Sequence, residues 1–295
     1  MFAKIVAAFM AFLATFTYPE RTPVVPVNKN ENPDTTLNQE VTVMTYNVKV
    51  SGVGKYAPKN RAENLIANVL AFSPDSVGFE EVSPDWYGWL RDGLTDYACV
   101  GQGRDKDNKG EASPVFYLKD KYDLIDSGTF WLSGTPEKVS KGWDAMNTRV
   151  CTYAILQNKE TGFTYAHFSA HFDHIGIVAR EEAASLITKK IAEICPDIPV
   201  VFTGDLNDDQ GSNMYNMILD SGMRDSKFLA DETMDTLTYH GYSALTEKTR
   251  TAPIDFIFVN AYAKSVSSYK VDFTKYDGIY PSDHHPVIVN MILGN

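Results

Sequence analysis

Five times along this chain an apolar, β-prone run meets a cluster of amide, carboxylate or imidazole side chains. The junctions fall at Asn47, at Glu80 and Glu81, at His171 with Asp173 and His174, at Asp205 with Asn207, and at Asp283, His284 and His285. Acids are poor strand formers and costly to bury, so one such junction alone reads as an ordinary strand end at the surface. Five of them restrict the fold to one in which several strand ends converge, because that is where rigid backbone presents side chains to a shared site.

The runs between the junctions supply the architecture. Glu40 to Val48 alternates and is rich in β formers, so it predicts a strand. Leu65, Ile66, Val69 and Leu70 form the apolar face of a helix that Asn60 would cap and Pro74 would stop. A short buried strand, SVGFEEV, follows, and then a helix over WYGWLRDGL with Ser83 as its cap and Pro84 in its first turn. PVFYLK and YDLIDSGTFWLS read as the strands of a hairpin. VCTYAIL and FTYAHFSA make a second pair across the turn-like NKETG. Ala179 to Ile194 has the clearest helical period, with Ala183, Leu186, Ile187, Ile191 and Ile194 on one side. IPVVFTGDLND is an apolar strand breaking into polar residues, residues 212–220 are helical, and PIDFIFVN, SVSSYKVDFT and HPVIVNMIL complete the strands. Strands outnumber helices, and few of them alternate strictly. The expected fold is therefore α+β: two mixed, mostly antiparallel sheets packed face to face, with helices on both outer faces as an α/β/β/α sandwich.

The first residues differ in character. Lys4 precedes an apolar stretch too short to span a bilayer, so residues 1–20 read as a secretory signal peptide and the protein is expected outside the cytoplasm. Residues 21–38, rich in Pro, Asn and Thr, read as a linker, and a single folded domain is expected over 39–295. Cys99, Cys151 and Cys195 include neither a CxxC pair nor a disulfide framework, and they read as core thiols rather than nucleophiles. The formal net charge of −11 opposes tight, nonspecific binding of a polyanion such as duplex DNA.

The polar clusters are rich in oxygen donors and free of thiolate. Such donors suit Mg²⁺, with Mn²⁺ or Ca²⁺ as alternatives, rather than a structural zinc. Histidines beside them can move protons near neutral pH. There is no phosphate-binding GxxxxGK[ST] loop, no dinucleotide fingerprint and no HExxH.

In series, MTYNVKV around Asn47, FEEV around Glu81, AHFDH at 170–174, TGDLND at 203–208, IDFIFV at 254–259 and SDHHPV at 282–287 resemble the endonuclease/exonuclease/phosphatase superfamily. That group includes DNase I-like nucleases, inositol polyphosphate phosphatases and neutral sphingomyelinases. The resemblance spans residues 40–292 in the family's order, is nearest to a bacterial branch, and implies the DNase I-like version of the sandwich. It implies Glu81 as the principal metal ligand, with Asn47 and Asp283 beside it. Asp205 and Asn207 would position the attacking water and the phosphate. His284 would be the general base or its partner, His171 would bind or protonate a phosphate oxygen, and Asp255 would orient one of these imidazoles. Glu80 stands where the family usually has Gln, a departure expected to add negative charge. Arg149, Trp143, His174 and His240 are expected on the substrate side.

The implied function is divalent-metal-dependent hydrolysis of a phosphate ester, a mono- or diester, by in-line attack of water. The substrate is a small molecule or a nucleic acid. A nuclease and a sphingomyelinase-like lipid phosphodiesterase are the competing enzymes, and an inactive binding protein of the same fold is the non-enzymatic one. Such a binder would be expected to lack Glu81, Asp205 or His284, and all three are present. No obligate protein partner is evident, and a monomer is expected.

Overall fold

A computed structural model describes residues 37–249 and 252–294. The expected signal peptide and most of the expected linker lie outside the described residues.

Among the described residues, thirteen strands form two sheets. In chain order they are β1 (Asn38–Asn47), β2 (Ser76–Glu80), β3 (Tyr97–Val100), β4 (Val115–Leu118), β5 (Tyr122–Trp131), β6 (Val150–Asn158), β7 (Thr164–His171), β8 (Val200–Asp205), β9 (Arg224–Asp225), β10 (Ala230–Glu232), β11 (Asp255–Val259), β12 (Ala263–Val271) and β13 (Val287–Gly294). The seven-stranded sheet runs β10-β12-β13-β1-β2-β4-β3 and the six-stranded sheet β5-β6-β7-β8-β11-β9. Most neighbours are antiparallel; β1 with β2, β7 with β8, and β10 with β12 are parallel. The helices are α1 (Pro58–Phe72), α2 (Pro84–Gly93), α3 (Ile177–Ile194), α4 (Asn213–Asp220) and α5 (Ala244–Thr249).

Side-chain parity sorts the strands into three apolar layers. Val41 and Val43 of β1 meet Tyr165, Val201 and Ile257 between the sheets. Met44 and Tyr46 turn to the other face and pack with Leu65 and Val69 of α1 and Leu90 of α2. Across the molecule, Phe168 and Phe202 pack with Ala183, Ile187 and Ile191 of α3 and Ile218 of α4. The expected α/β/β/α sandwich is the observed one. The sheets approach closely at Gly78, where an added Cβ would run into Thr203 Oγ1.

Three local expectations are corrected. The runs 115–118 and 122–131 are not a hairpin, because β4 pairs with β2 and β3 while β5 pairs with β6 in the other sheet. The short turn between them, closed by Lys121 N donating to Leu118 O at 3.2 Å, carries the chain from one sheet to the other. The first helix begins at Pro58, not Arg61, with Ala57 as its N-cap. Proline suits a first helical turn, where its missing N–H is not needed, and Asn60 inside that turn donates instead to Gly54 O at 2.8 Å. The strand expected from Glu40 begins at Asn38, and Leu37 already packs on the core. Ser83 does cap α2, accepting from Trp86 N at 3.3 Å.

Candidate active site

The inter-sheet layer changes from apolar to polar toward one end of the strands. On that face, Thr45, Ser76, Ser169, Thr203 and His167 are all fully buried. His167 is satisfied on both nitrogens, by Ser76 Oγ at 2.8 Å and Thr203 Oγ1 at 2.9 Å. One step further along the same parity come Asn47, Glu80, His171, Asp205 and Asp255. Register aligns them: Asn47 opposite Glu80, His171 opposite Asp205, and Asp205 opposite Asp255. The strand period of two thus delivers these side chains from five strands to one place.

Loops complete the cluster. Glu81 leaves β2 in the left-handed region, at φ 59°. That backbone costs a residue with a Cβ about 1–2 kcal/mol. Its carboxylate is held by Val50 N at 2.8 Å and Asn47 Nδ2 at 3.2 Å. Asn47 Nδ2 also donates to Asp205 Oδ2 at 2.9 Å, and Asn47 Oδ1 accepts from Lys49 N at 2.9 Å. Asn207, in a left-handed conformation that Asn tolerates, donates from Nδ2 toward His171 Nε2 at 2.9 Å.

Asp283 and His284 precede β13. Ser282 Oγ donates to Asn47 O at 2.6 Å, fastening this loop to the end of β1. Arg61, buried against the Trp86 ring, donates to the carbonyls of Val48, Lys49, Tyr56 and Pro281, joining the same two loops. His284 Nδ1 lies 2.9 Å from Asp255 Oδ2, and its Nε2 lies 3.7 Å from Asp205 Oδ2. Of the two imidazoles the resemblance left open for Asp255, the one it holds is His284.

The electrostatics divide the histidines. Burial lowers the His284 pKa, but Asp255 and Asp205 outweigh it and leave the group well above its ordinary value. Burial, reinforced by Arg149 and the charge of His284, holds His171 well below. Burial raises Asp205, and His284 opposes that rise. Glu80, expected to add negative charge, is fully buried. Burial, with Asp255 and Asp205 close by, drives its pKa well above the ordinary carboxylate range. Its Oε1 accepts a hydrogen bond from Thr45 Oγ1 at 2.9 Å.

The cluster floors a cleft of about 440 Å³ whose walls include Lys49, Arg104, Glu111, Asn147, Arg149, His174 and Tyr239. Arg149 is buried; its side chain lies 3.6 Å from Asp173 Oδ2 and 3.3 Å from His174 Nδ1. Arg104 is gripped by both oxygens of Glu111, at 2.9 and 3.0 Å. Lys49 Nζ lies 3.4 Å from Asp283 Oδ2. Lys49, Arg104, Glu111, Asn147 and Tyr239 went unremarked in the sequence. Only Lys49, two residues after Asn47 in MTYNVKV, carried a local signal.

Two expected substrate contacts do not line the cleft itself. His240 is fully buried and does not line the cleft; Nε2 bonds to Ser282 O at 3.0 Å and Nδ1 accepts from Tyr242 N at 3.1 Å. It braces the loop that carries Asp283 from behind. Trp143 lies in the loop before β6, 40% exposed, and is not among the residues lining the cleft.

The donor set fits a divalent cation. Asp205, Asp255 and His284 bring ligand atoms within 4.8 Å of one another, though Asp255 is already engaged by His284. Asp283 Oδ1 is buried without a hydrogen-bond partner among the described residues, and Glu81 and Asn47 add hard oxygens nearby. A centre of this kind can support metal-assisted hydrolysis of a phosphate ester.

Comparison with known proteins agrees. The profile of the Endonuclease/Exonuclease/phosphatase family matches residues 44–284. An endonuclease/exonuclease/phosphatase from Bacteroides vulgatus is 34% identical, with a TM-score of 0.82 over 86% of this chain and 99% of that one. A family protein from Bacteroides thetaiotaomicron is 31% identical, with a TM-score of 0.81 over 88% and 96%. A mannosyl-6-phosphatase from the same organism is 31% identical, with a TM-score of 0.77 over 85% and 99%. No curated protein matches. The chain belongs to the endonuclease/exonuclease/phosphatase family.

Proposed function

We propose that this protein is a Mg²⁺-dependent hydrolase of small phosphomonoesters. The observation that carries the reading is the pairing, in one cleft of about 440 Å³, of the carboxylate–imidazole floor with the cationic wall of Lys49, Arg104 and Arg149. That volume suits a small molecule. A terminal phosphate carries one more negative oxygen than a diester, and planar guanidinium groups match it well. The similarity to a mannosyl-6-phosphatase supports a phosphomonoester as the substrate type.

Glu81, Asn47, Asp205 and Asp283 would hold the cation, which when bound neutralises charge developing on the phosphoryl oxygens and at the leaving alkoxide. The chain's own groups perform the rest. Arg149, His171 and Asn207 face the phosphoryl oxygens, where donors contribute most as charge builds. His284 takes the proton of the attacking water at Nε2, because Asp255 occupies Nδ1. Water bonds to phosphorus as the bond to the alcohol oxygen breaks, the departing alkoxide takes a proton from solvent, and the proton on His284 is released to solvent as the alcohol and inorganic phosphate leave. No covalent intermediate is required.

The test is phosphate release by wild type and Glu81→Gln from sugar phosphates, glycerol phosphate and a diester, with Mg²⁺, Mn²⁺ and Ca²⁺ supplied in turn. Monoesters should exceed the diester by about tenfold or more with Mg²⁺. Glu81→Gln should keep its circular dichroism spectrum and lose most turnover. Full turnover by that variant at saturating Mg²⁺, or preference for the diester, would sink the proposal.

A further inference from the structure

Along one lip of the cleft the chain leaves a run of apolar side chains in water. Trp143, Met146, Ile175, Ile177 and Val178 are between 40% and 63% exposed. Scattered exposed apolar residues are ordinary, but a contiguous patch is not. These five come from two segments, the loop before β6 and the turn into α3, and buried bonding holds the segments together. Asp173 Oδ1 accepts from Met146 N at 2.9 Å, Ile175 N at 3.1 Å and Gly176 N at 2.9 Å, and its Oδ2 accepts from Asn147 N at 3.0 Å. Asp144 adds a second clasp, accepting from Ala179 N at 2.7 Å and Val178 N at 3.3 Å. Gly176 permits the contact, since a Cβ there would stand 2.6 Å from Asp144 Oδ1. Trp143 adopts a left-handed φ of 41°, the kind of local strain that persists where a surface is built for use.

The lip is continuous with the cleft. Asn147 and His174 line the cleft, and each is the immediate chain neighbour of an exposed apolar residue, Met146 and Ile175. Asp173 joins the two surfaces directly, with Oδ2 3.6 Å from Arg149 Nε and both oxygens bonded to the lip's amides. One carboxylate therefore sets the spacing between the cationic wall and the apolar lip.

We propose that the lip recognises the alcohol half of the phosphate ester, and that this alcohol carries an apolar body, an alkyl or aryl group of several carbons. The proposal rests on the hydrolase reading above and narrows its substrate class. With the phosphate held by Arg149 and His171, an ester chain leading outward past Asn147 and His174 meets the lip first. The net charge of −11 disfavours an anionic bilayer as the occupant, and the ligand proposed for the lip is a soluble ester.

The experiment compares methyl, butyl and octyl phosphate, below micelle-forming concentrations, as substrates of the full chain with Mg²⁺. In parallel, calorimetry measures binding of the matching alkyl phosphonates, which are not hydrolysed. Wild-type kcat/KM and phosphonate affinity should both rise about twofold per added methylene, the gain expected from partial burial on an open surface. The octyl-to-methyl ratio should fall toward one in Met146→Ser/Ile175→Ser and in Trp143→Ala. Because the ratio is taken within each protein, a general loss of folding does not imitate the result. A flat wild-type series overturns the proposal, as does a slope that the variants leave intact. Cosedimentation with phosphatidylcholine vesicles through these residues, or a dimer that the same substitutions dissolve, would assign the lip to a membrane or a second copy and also overturn it. Graded phosphonate binding without turnover of any ester would support the lip while ending the hydrolase reading; turnover without grading would do the reverse.

Discussion

Buried polar groups flank β2 at both ends, and the two ends are finished differently. Asp75, just before β2, is buried and fully engaged. Its Oδ2 accepts from Thr42 N at 2.8 Å, and its Oδ1 accepts from Tyr122 O–H at 3.1 Å and from Lys121. At the far end, where Asn47 and Glu80 stand opposite each other, buried atoms are left over. Glu80 Oε2, His171 Nδ1, Arg149 Nε and Asp283 Oδ1 have no hydrogen-bond partner among the described residues. Native proteins satisfy nearly all buried polar groups, so a concentration of exceptions marks a place where stability has been given up for chemistry. One end of the strand pair holds the sheets together. The other end is held open by them.

The largest effect that could break this comparison is on rate. His284→Ala should lower kcat/KM by about 10²–10⁴-fold without unfolding the protein. Since Asp255 and Asp205 hold the imidazole above its ordinary value, and only the neutral form accepts a proton, wild-type kcat/KM should climb as pH rises through the His284 pKa. The variant should lose that acidic limb, while His171→Ala should keep it, because His171 is already neutral near pH 7. A loss under tenfold at His284, or a limb that disappears only in the His171 variant, would reverse the two roles.

Asp75→Ala tests the opposite end. It strands the Thr42 amide and the Tyr122 hydroxyl and should cost about 1–3 kcal/mol of stability in denaturant unfolding. Turnover at saturating substrate should stay near wild type. A rate loss comparable to that of His284→Ala would mean that the two ends are not functionally separate.

Glu80→Gln should be the mildest change, replacing a buried carboxyl by its isosteric amide. A carboxyl whose folded pKa is raised contributes stability below its unfolded value, near 4.5, and loses it as pH rises through the folded pKa. Near pH 4.5 the two proteins should therefore unfold at similar denaturant concentrations, and the variant should become progressively the more stable toward alkaline pH. An unfolding midpoint gap that does not change with pH would show that Glu80 is ionised in the fold.

Much of this was legible in the residues. Asn47, His171, Asp205 and Asp255 announce themselves because a strand's period of two carries a polar side chain onto the face its apolar predecessors occupied. The helix over Pro84–Gly93 was readable from Ser83 and Pro84, whose chemistry is local. What failed was information that lives in tertiary contacts. Alternation in 115–118 and 122–131 says strand but not which sheet, so a crossover read as a hairpin. The burial of Glu80 was not legible, because it depends on the strands around it. His240 read as a pocket residue because an imidazole near aromatics looks alike on either side of a loop. Arg104 and Glu111 were missed because they rise from irregular backbone with no period, and only the fold turns them toward His171.

The pairing of β1 with β13 imposes an order on how the protein comes into being. These strands are neighbours in the middle of a sheet, from Asn38 opposite Gly294 to Thr45 opposite Val287, yet the whole domain lies between them in sequence. A ribosome delivers the chain from its amino end, so β1 waits with one edge bare until almost everything else has been made. Closing so distant a pair is slow, because the intervening loop must be ordered first. Asp283 and His284 arrive with that closing strand. A nascent chain accordingly holds Asn47 and Glu81 without their counterparts, and the polar cluster is completed in a single late event rather than by degrees during synthesis.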